Sequence, residues 1–230
     1  NAKKHTAQKR PRTAVKSVSD AELQSFSAEV NVMRKMRVMY EKTGRAVYIS
    51  HLDIMRTFQR AITRAGIDIK HTEGFNPHPY ISIALPLSLG YTGKCEFLDM
   101  VINDDMKCDE IVRRMNKTLP EGIHAVSAYC DASPVRNIAY SEYLLTLDYD
   151  GGIKDETLQA LDLLLKKEEI VVMKKSKRGE IETNIAPMIK TAKIEENGNS
   201  IKIKAVLASG NTSLNPEYII RAIEKYIPEC

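Results

Sequence analysis

Apolar residues recur in this chain with two alternating periods, and this alternation limits the possible folds more than any other feature of the sequence. The period of two that is typical of strands gives way to the spacing of an amphipathic helix and then returns. In the first half the predicted elements are a hairpin or bent strand at 35–49, a helix at 51–65, strands at 67–73, 80–85 and 95–103, a helix at 108–118 and a strand at 123–129. This order favours a ferredoxin-like α+β sandwich of the βαββαβ type.

A similar order begins again after residues 131–139, which have the composition of a linker. The predicted elements of the second half are a strand around Tyr143–Leu147, a helix around Leu158–Leu165, strands at 170–173, 191–196 and 201–207, and a helix at 216–227. Asn197-Gly198 between two strands is a clear hairpin signal. We therefore predict two ferredoxin-like halves in tandem, at 33–130 and 140–230, with the second lacking its last strand.

The net charge of +4 is a property of the first residues and not of the whole chain. Residues 1–17 contain six Lys and Arg and no acidic residue, which leaves 28 basic and 30 acidic residues in the remainder. Residues 1–32 are therefore predicted to be a basic flexible tail followed by a short helix. Any basic site in the rest of the chain must be local.

The four cysteines lie far apart, at 95, 108, 130 and 230, without the paired spacing of a disulfide framework or a structural zinc site. The longest apolar runs are only a few residues, too short to span a membrane. We therefore expect a cytoplasmic protein with no membrane partner and no cofactor.

The helix predicted at 51–65 carries three arginines at four-residue steps, Arg56, Arg60 and Arg64, opposite its apolar side. Arginine forks bind phosphate oxygens in pairs, so this row could follow a nucleic-acid backbone. The alternative is a solvated helix face that contributes to solubility. At the start of the same helix, Asp53 suits a capping role, and His51 could serve as a base or a ligand.

The histidines of the first half are candidate metal ligands. His71 and Glu73 lie two residues apart on a predicted strand and so face the same way. With His51 and His78 they could converge, but their spacing is not that of a dedicated ligand set. We expect no metal.

Residues 73–79 form the most unusual segment of the chain, with Pro77 and Pro79 on either side of His78. Two prolines stiffen the backbone, and stiffness reduces the entropy lost on binding. Phe75 could stack on a base, and Glu73, Asn76 and His78 add polar groups. We expect Phe75, Asn76 and His78 to lie beside His51 and Asp53 at the start of the preceding helix. The alternative is a structural crossover with Phe75 in the core.

The chain resembles the radical-SAM-associated protein family, a bacterial domain of unknown function that is fused to radical SAM proteins or encoded beside them. The similarity extends over about 34–227, is most specific over 37–87, and includes 183–189. The residues that carry it are Arg37–Tyr40, Lys42–Arg45, Ser50–Asp53, Met55-Arg56, Ala61, Arg64–Gly66, Glu73–Pro79, Ser82, Ala84 and Pro86-Leu87.

The resemblance implies a partner more than a reaction. The sequence has no CxxxCxxC motif for the iron–sulfur cluster of radical SAM enzymes, so we expect an accessory protein without catalytic residues of that kind. The function expected is an RNA-binding or substrate-presenting module that works with a radical SAM enzyme. The alternatives are a metal-independent ribonuclease-like enzyme and a protein-only adaptor.

Overall fold

The computed structural model describes residues 33–130, 132–176, 179–210 and 212–228. The tail and short helix predicted for 1–32 lie outside the described residues. The first half contains, in chain order, β1 (Arg34–Lys42), α1 (His51–Arg64), β2 (Ile81–Ala84), β3 (Gly93–Ile102), α2 (Cys108–Asn116) and β4 (Ile123–Cys130). The second half contains β5 (Tyr140–Asp148), α3 (Asp155–Leu165), β6 (Val171–Ser176), β7 (Gly179–Asn184), β8 (Ile189–Asn197), β9 (Ser200–Ala208) and α4 (Glu217–Tyr226).

The first half is a four-stranded antiparallel sheet in the order β2-β3-β1-β4, with α1 after β1 and α2 after β3. The core-facing row of β1 includes Val38, which lies opposite Leu98 of β3. Phe58 of α1 and Ile111 of α2 pack on these rows and are fully buried. The α+β class predicted from the sequence is confirmed.

The second half is built around a three-stranded antiparallel sheet in the order β5-β9-β8, with its own buried cluster from β5, β9, α3 and α4. The strand predicted at 170–173 is present within β6. However, β6 pairs with β7 in a separate two-stranded sheet and does not enter the main sheet. The sequence did not predict β7 because Glu180–Asn184 alternates charged and polar residues with a single exposed Ile181.

Two elements of the first half differ from their prediction. The strand predicted to extend to residue 49 ends at Lys42, and Gly44–Tyr48 forms a short 3-10 helix. The apolar Ala46 and Val47 are buried as neighbours on that helix and not as alternate residues of a strand.

The strand predicted at 67–73 is an extended segment with two single bridges, Ile69 to Ile102 and His71 to Pro79. Ile67 and Ile69 are buried, which gives this segment the alternation of a strand without a regular ladder.

Within the described ranges, no helix is long and apolar enough to cross a membrane.

Candidate functional site

The start of α1 is a closed capping arrangement. The hydroxyl of Ser50 accepts a hydrogen bond from the Asp53 backbone N–H at 3.2 Å and donates one to the Asp53 carboxylate at 2.7 Å. Arg56 donates to the other carboxylate oxygen at 3.1 Å. The Ser50 hydrogen bond, followed by that of Arg56, lowers the pKa of Asp53. Asp53 therefore stabilises the helix start, as a side chain at this position commonly does.

The three arginines predicted to form a basic row are exposed, but they are not equivalent. Arg64 donates to the Thr118 carbonyl oxygen at 2.8 Å, so it ties α1 to the residues after α2. Arg56 forms an exposed ion pair with Asp53, an interaction that contributes little stability and leaves the cation accessible. Arg56 and Arg60 are thus the members of the row that are placed to bind a ligand.

Residues 73–79, which we call the stiff loop, are closed by hydrogen bonds between Thr72 and His78. The Thr72 N–H donates to the His78 carbonyl oxygen at 2.9 Å, and the His78 N–H donates to the Thr72 hydroxyl at 3.2 Å. The His78 ring nitrogen Nδ1 lies 3.1 Å from the same hydroxyl and 3.2 Å from the Asn76 carbonyl oxygen. These contacts fix the ends of residues 73–77, so the loop has a defined shape before any ligand binds.

Phe75 at the tip of this loop is completely exposed, with a relative accessibility of 106%. Glu73, Asn76 and His78 are exposed as well. A core crossover would have buried the ring, so that alternative does not describe the loop. The Phe75 ring is therefore accessible to a ligand on a loop of defined shape.

The loop lies against the middle of α1 and not against its start. The Gln59 side-chain amide donates to the Pro79 carbonyl oxygen at 3.5 Å. Gln59 is eight residues after His51, which is about 12 Å along a helix axis. The expected proximity of the loop to His51 and Asp53 is therefore wrong, because the segment before the loop is an extended chain at the sheet edge and not a strand beside the helix start.

Gln59 also identifies the arginines nearest to the loop. Arg56 precedes it by three residues and so lies on the same side of α1, whereas Arg60 follows it directly and points about 100° away from it around the helix. We define the loop–helix surface as Arg56, Arg60, Phe75, His78 and the half-exposed Tyr80. It combines two cations with two exposed aromatic rings.

Lys42 and Glu96 form a polar pair at the end of the core of the first half, and the sequence analysis did not identify it. Lys42 is only 4% exposed, and Glu96 lies directly opposite the buried Tyr40 on the neighbouring strand. With His51 they line a small depression whose other walls are apolar. The signal was present in the sequence, since Lys42 and Glu96 each continue the two-residue period of a core-facing row.

Burial controls the ionisation of this pair. It raises the pKa of Glu96 to about 7, against the opposing attraction of Lys42. It also lowers the pKa of the Lys42 ammonium, against the attraction of Glu96. A Cβ at Gly93 would lie 2.6 Å from the Glu96 side chain and 2.6 Å from Leu87, so glycine at this position makes room for the buried carboxyl group. Near neutral pH, Glu96 can therefore exchange a proton.

The opposite face of the same sheet holds a different buried cation. Arg37 is 5% exposed and donates two hydrogen bonds to Asp99, at 2.6 and 2.8 Å. Its guanidinium also lies over the Phe97 ring, 5.4 Å from the centroid. These contacts fix the arginine within the sheet, which is consistent with a structural role.

The histidines and acids considered as metal ligands do not gather in the structure. His71 directs Nδ1 to its own backbone, 2.9 Å from the Ile69 carbonyl oxygen, and His51 lies in the separate depression beside Lys42. Across the described part of the chain, no three His, Cys, Asp or Glu side chains are grouped closely enough to hold a metal ion.

Comparison with known proteins gives distant structural likenesses. No curated protein matches the chain. An unknown protein from Galdieria sulphuraria shares 13% identity over 86% of this chain and 93% of its own, with a TM-score of 0.26. A protein described as a candidate glycine cleavage system transcriptional repressor shares 15% identity over 86% of this chain and 91% of its own, with a TM-score of 0.23. Neither likeness is close enough to transfer a function.

One protein family covers most of the chain, including α1, the stiff loop and the Lys42–Glu96 pair. Its members are described as uncharacterized proteins conserved in bacteria, a description that states no activity and no partner. The match extends over residues 35–216, and the chain therefore belongs to this family, DUF2344.

Proposed function

We propose that this protein is an accessory module that binds single-stranded RNA through the loop–helix surface and presents it to a radical SAM enzyme. The observation that carries the RNA part is the fully exposed Phe75 on a loop closed by Thr72 and His78. An exposed apolar ring is unfavourable in water, and a base stacked on it removes that surface from water. Stacking of this kind contributes about 1–3 kcal/mol per base.

The neighbouring arginines supply the electrostatic part of the interaction. Arg56 and Arg60 are exposed on α1, and Arg56 lies on the same side of the helix as Gln59, which contacts the loop. A guanidinium can donate two parallel hydrogen bonds to a phosphate, and this contact does not depend on the base sequence. The proposed preference is therefore for single-stranded RNA with little sequence selectivity at these positions.

The proposed enzyme partner rests on the resemblance over residues 37–87 to radical-SAM-associated proteins. The sequence has no CxxxCxxC motif, so the iron–sulfur cluster of such a pair would belong to the partner. The reducing cytoplasm is the compartment proposed for both, in keeping with the free thiols of Cys95, Cys108 and Cys130.

A test compares variants by fluorescence anisotropy with a labelled single-stranded RNA of mixed sequence. We expect Phe75→Ala to weaken binding about 5- to 150-fold, the range that corresponds to one stacked base. Arg56→Gln with Arg60→Gln should weaken binding for all sequences and reduce the slope of log affinity against log salt by about 1.4. Both variants should unfold like the wild type to within about 0.5 kcal/mol, since the replaced groups are exposed.

Matched controls are Leu163→Ala, which removes another exposed apolar side chain, and Arg113→Gln, which removes an arginine of α2 held by Glu110. Neither should change RNA affinity. If Phe75→Ala binds as tightly as the wild type, the loop is not the RNA site.

A second candidate function, a metal-independent ribonuclease, is favoured by the Glu96 carboxyl group, whose pKa of about 7 suits an acid–base catalyst beside His51. Cleavage of the RNA that disappears in Glu96→Gln would support that function. Capture of a radical SAM protein by the tagged chain after ribonuclease treatment, without measurable RNA affinity, would support a protein-only adaptor.

A further inference from the structure

A cleft of about 250 Å³ lies where the two halves meet. One wall is the segment between β2 and β3, which includes Pro86, Ser88 and Tyr91. The other wall comes from the second half, with Tyr143 of β5 and the residues that connect β9 to α4. These walls are separate from the loop–helix surface, so the cleft is an independent feature.

The two walls are held in a defined arrangement at the rim. The Asn215 side-chain amide donates to the Ser88 hydroxyl at 3.1 Å, which joins the halves across the cleft. On the first wall, Leu85 has φ of 46° and is the one non-glycine residue with positive φ in the described ranges. Such a conformation costs about 1–3 kcal/mol and is concentrated at functional sites.

The lining combines rings with uncharged polar groups. Tyr91, Tyr143, Pro86 and Pro216 contribute rings, while the serines and Asn215 offer hydroxyl and amide groups. In the described part of the chain, no lysine or arginine lines the cleft. A ligand that depended on phosphate or carboxylate groups would therefore find no cation there.

Glu217 lies outside the lining and adds negative charge near the cleft, whereas Glu96, with a pKa of about 7, is only partly ionised at neutral pH. Burial, followed by the field of Glu217, raises the pKa of Tyr91, and burial, followed by the field of Glu96, raises that of Tyr143. Both phenols therefore remain protonated and can donate hydrogen bonds at neutral pH. Arg221 binds Glu217 at 2.6 Å and offsets part of its charge, so the discrimination against anions should be moderate.

The volume limits the size of a ligand. Pockets for drug-sized molecules occupy about 300–1,000 Å³, and this cleft is smaller. It can enclose a single fused ring system with a small substituent, but not an oligonucleotide.

We propose that the cleft binds one uncharged heteroaromatic ring of the nucleobase type, stacked against a tyrosine ring and hydrogen-bonded at its edge to Ser88 and Asn215. The proposal goes beyond RNA binding at the loop–helix surface and does not rest on it. Nucleobases match the chemistry of this lining, because they have an aromatic ring that can stack on tyrosine, an edge of donors and acceptors, and no charge.

The test uses adenosine, guanosine, cytidine and uridine as probes, with binding detected by saturation-transfer difference NMR and quantified by titration calorimetry. At least one nucleoside should bind the full chain with one-to-one stoichiometry. Tyr143→Leu should weaken that binding about tenfold or more, and Ser88→Ala should weaken it about two- to tenfold, as expected for one hydrogen bond. The corresponding 5′-monophosphate should bind more weakly than the nucleoside.

Tyr140→Leu is the matched control, since it removes a tyrosine from the same strand on the opposite, exposed face. It should leave nucleoside affinity unchanged. Ser88→Ala replaces an exposed residue, so it keeps the test valid if Tyr143→Leu fails to fold. Absence of saturable binding by all four nucleosides, equal weakening by Tyr140→Leu, or tighter binding of the monophosphate would overturn the proposal.

Discussion

At the scale of single residues, Glu96 couples the stability of the fold to pH. Its folded-state pKa of about 7 lies above the ordinary 4.5, so the folded protein binds a proton that the unfolded chain has already released. The stability gained from the neutral carboxyl group is complete below pH 4.5 and is lost as the pH rises through 7. From pH 5 to 8 the free energy of unfolding should fall in the wild type by on the order of 3 kcal/mol more than in Glu96→Gln.

This prediction is checked by urea denaturation at intervals of half a pH unit. The exposed Glu121→Gln is the control and should retain the wild-type dependence on pH. The same slope in Glu96→Gln as in the wild type would show that burial does not control the ionisation of Glu96. Lys42 affects stability at higher pH than Glu96. Because the pKa of its ammonium is lowered in the folded protein, Lys42 increases the free energy of unfolding only as the pH rises toward 10.5.

At the scale of elements, α1 depends on its N-cap residue, Ser50. Ser50→Ala removes the acceptor for the Asp53 N–H and the main cause of the lowered Asp53 pKa. We expect it to cost about 1 kcal/mol, within the 0.5–2 kcal/mol measured for lost N-caps. Chemical denaturation of Ser50→Ala beside Ser50→Thr, which keeps a hydroxyl, measures the effect; equal losses in both variants would contradict the capping role.

The elements predicted correctly were those with a complete local signal. Helix α1 had a capping serine, a regular apolar spacing and Gly66 at its end, and β8 and β9 were joined by Asn197-Gly198. The elements predicted wrongly depend on tertiary contacts. Residues 67–73 show the alternation of a strand because Ile67 and Ile69 are buried in the core. Their pairing through two single bridges, and not through a regular ladder, depends on tertiary contacts that the local sequence does not encode.

In the candidate site, too, the features with a local sequence signal were predicted, and those that depend on tertiary contacts were missed. The stiffness of the loop follows from its prolines, and its exposed polar groups were expected from Asn76 and His78. Its position along α1 depends on the Gln59–Pro79 contact, which has no sequence signature. Lys42 and Glu96 were missed because charged residues near strand ends are usually exposed.

At the scale of the whole molecule, the two halves have separate hydrophobic cores. The buried cluster of the first half draws on residues 36–130, and that of the second half draws on residues 143–227. Each cluster joins at least three strands to two helices, which suffices for independent stability in a domain of this size. We therefore predict that residues 33–134 and 135–228, expressed separately, each fold.

Circular dichroism and thermal unfolding of the two fragments test whether each half folds alone. Each should show a cooperative transition, and the sum of their far-ultraviolet spectra should match that of residues 33–228 produced as one chain. A fragment that lacks cooperative unfolding alone and regains it only when mixed with the other would contradict independent cores.

Separate cores have a mechanical consequence for the cleft. At the rim of the cleft, the side chain of Asn215 in the second half donates to the Ser88 hydroxyl of the first half, and neither residue belongs to either core. A change in the angle between the halves would therefore break rim contacts of this kind and leave both cores intact. A ring bound in the cleft would touch both halves at once, so an occupied cleft would oppose such a change and hold the molecule in one shape.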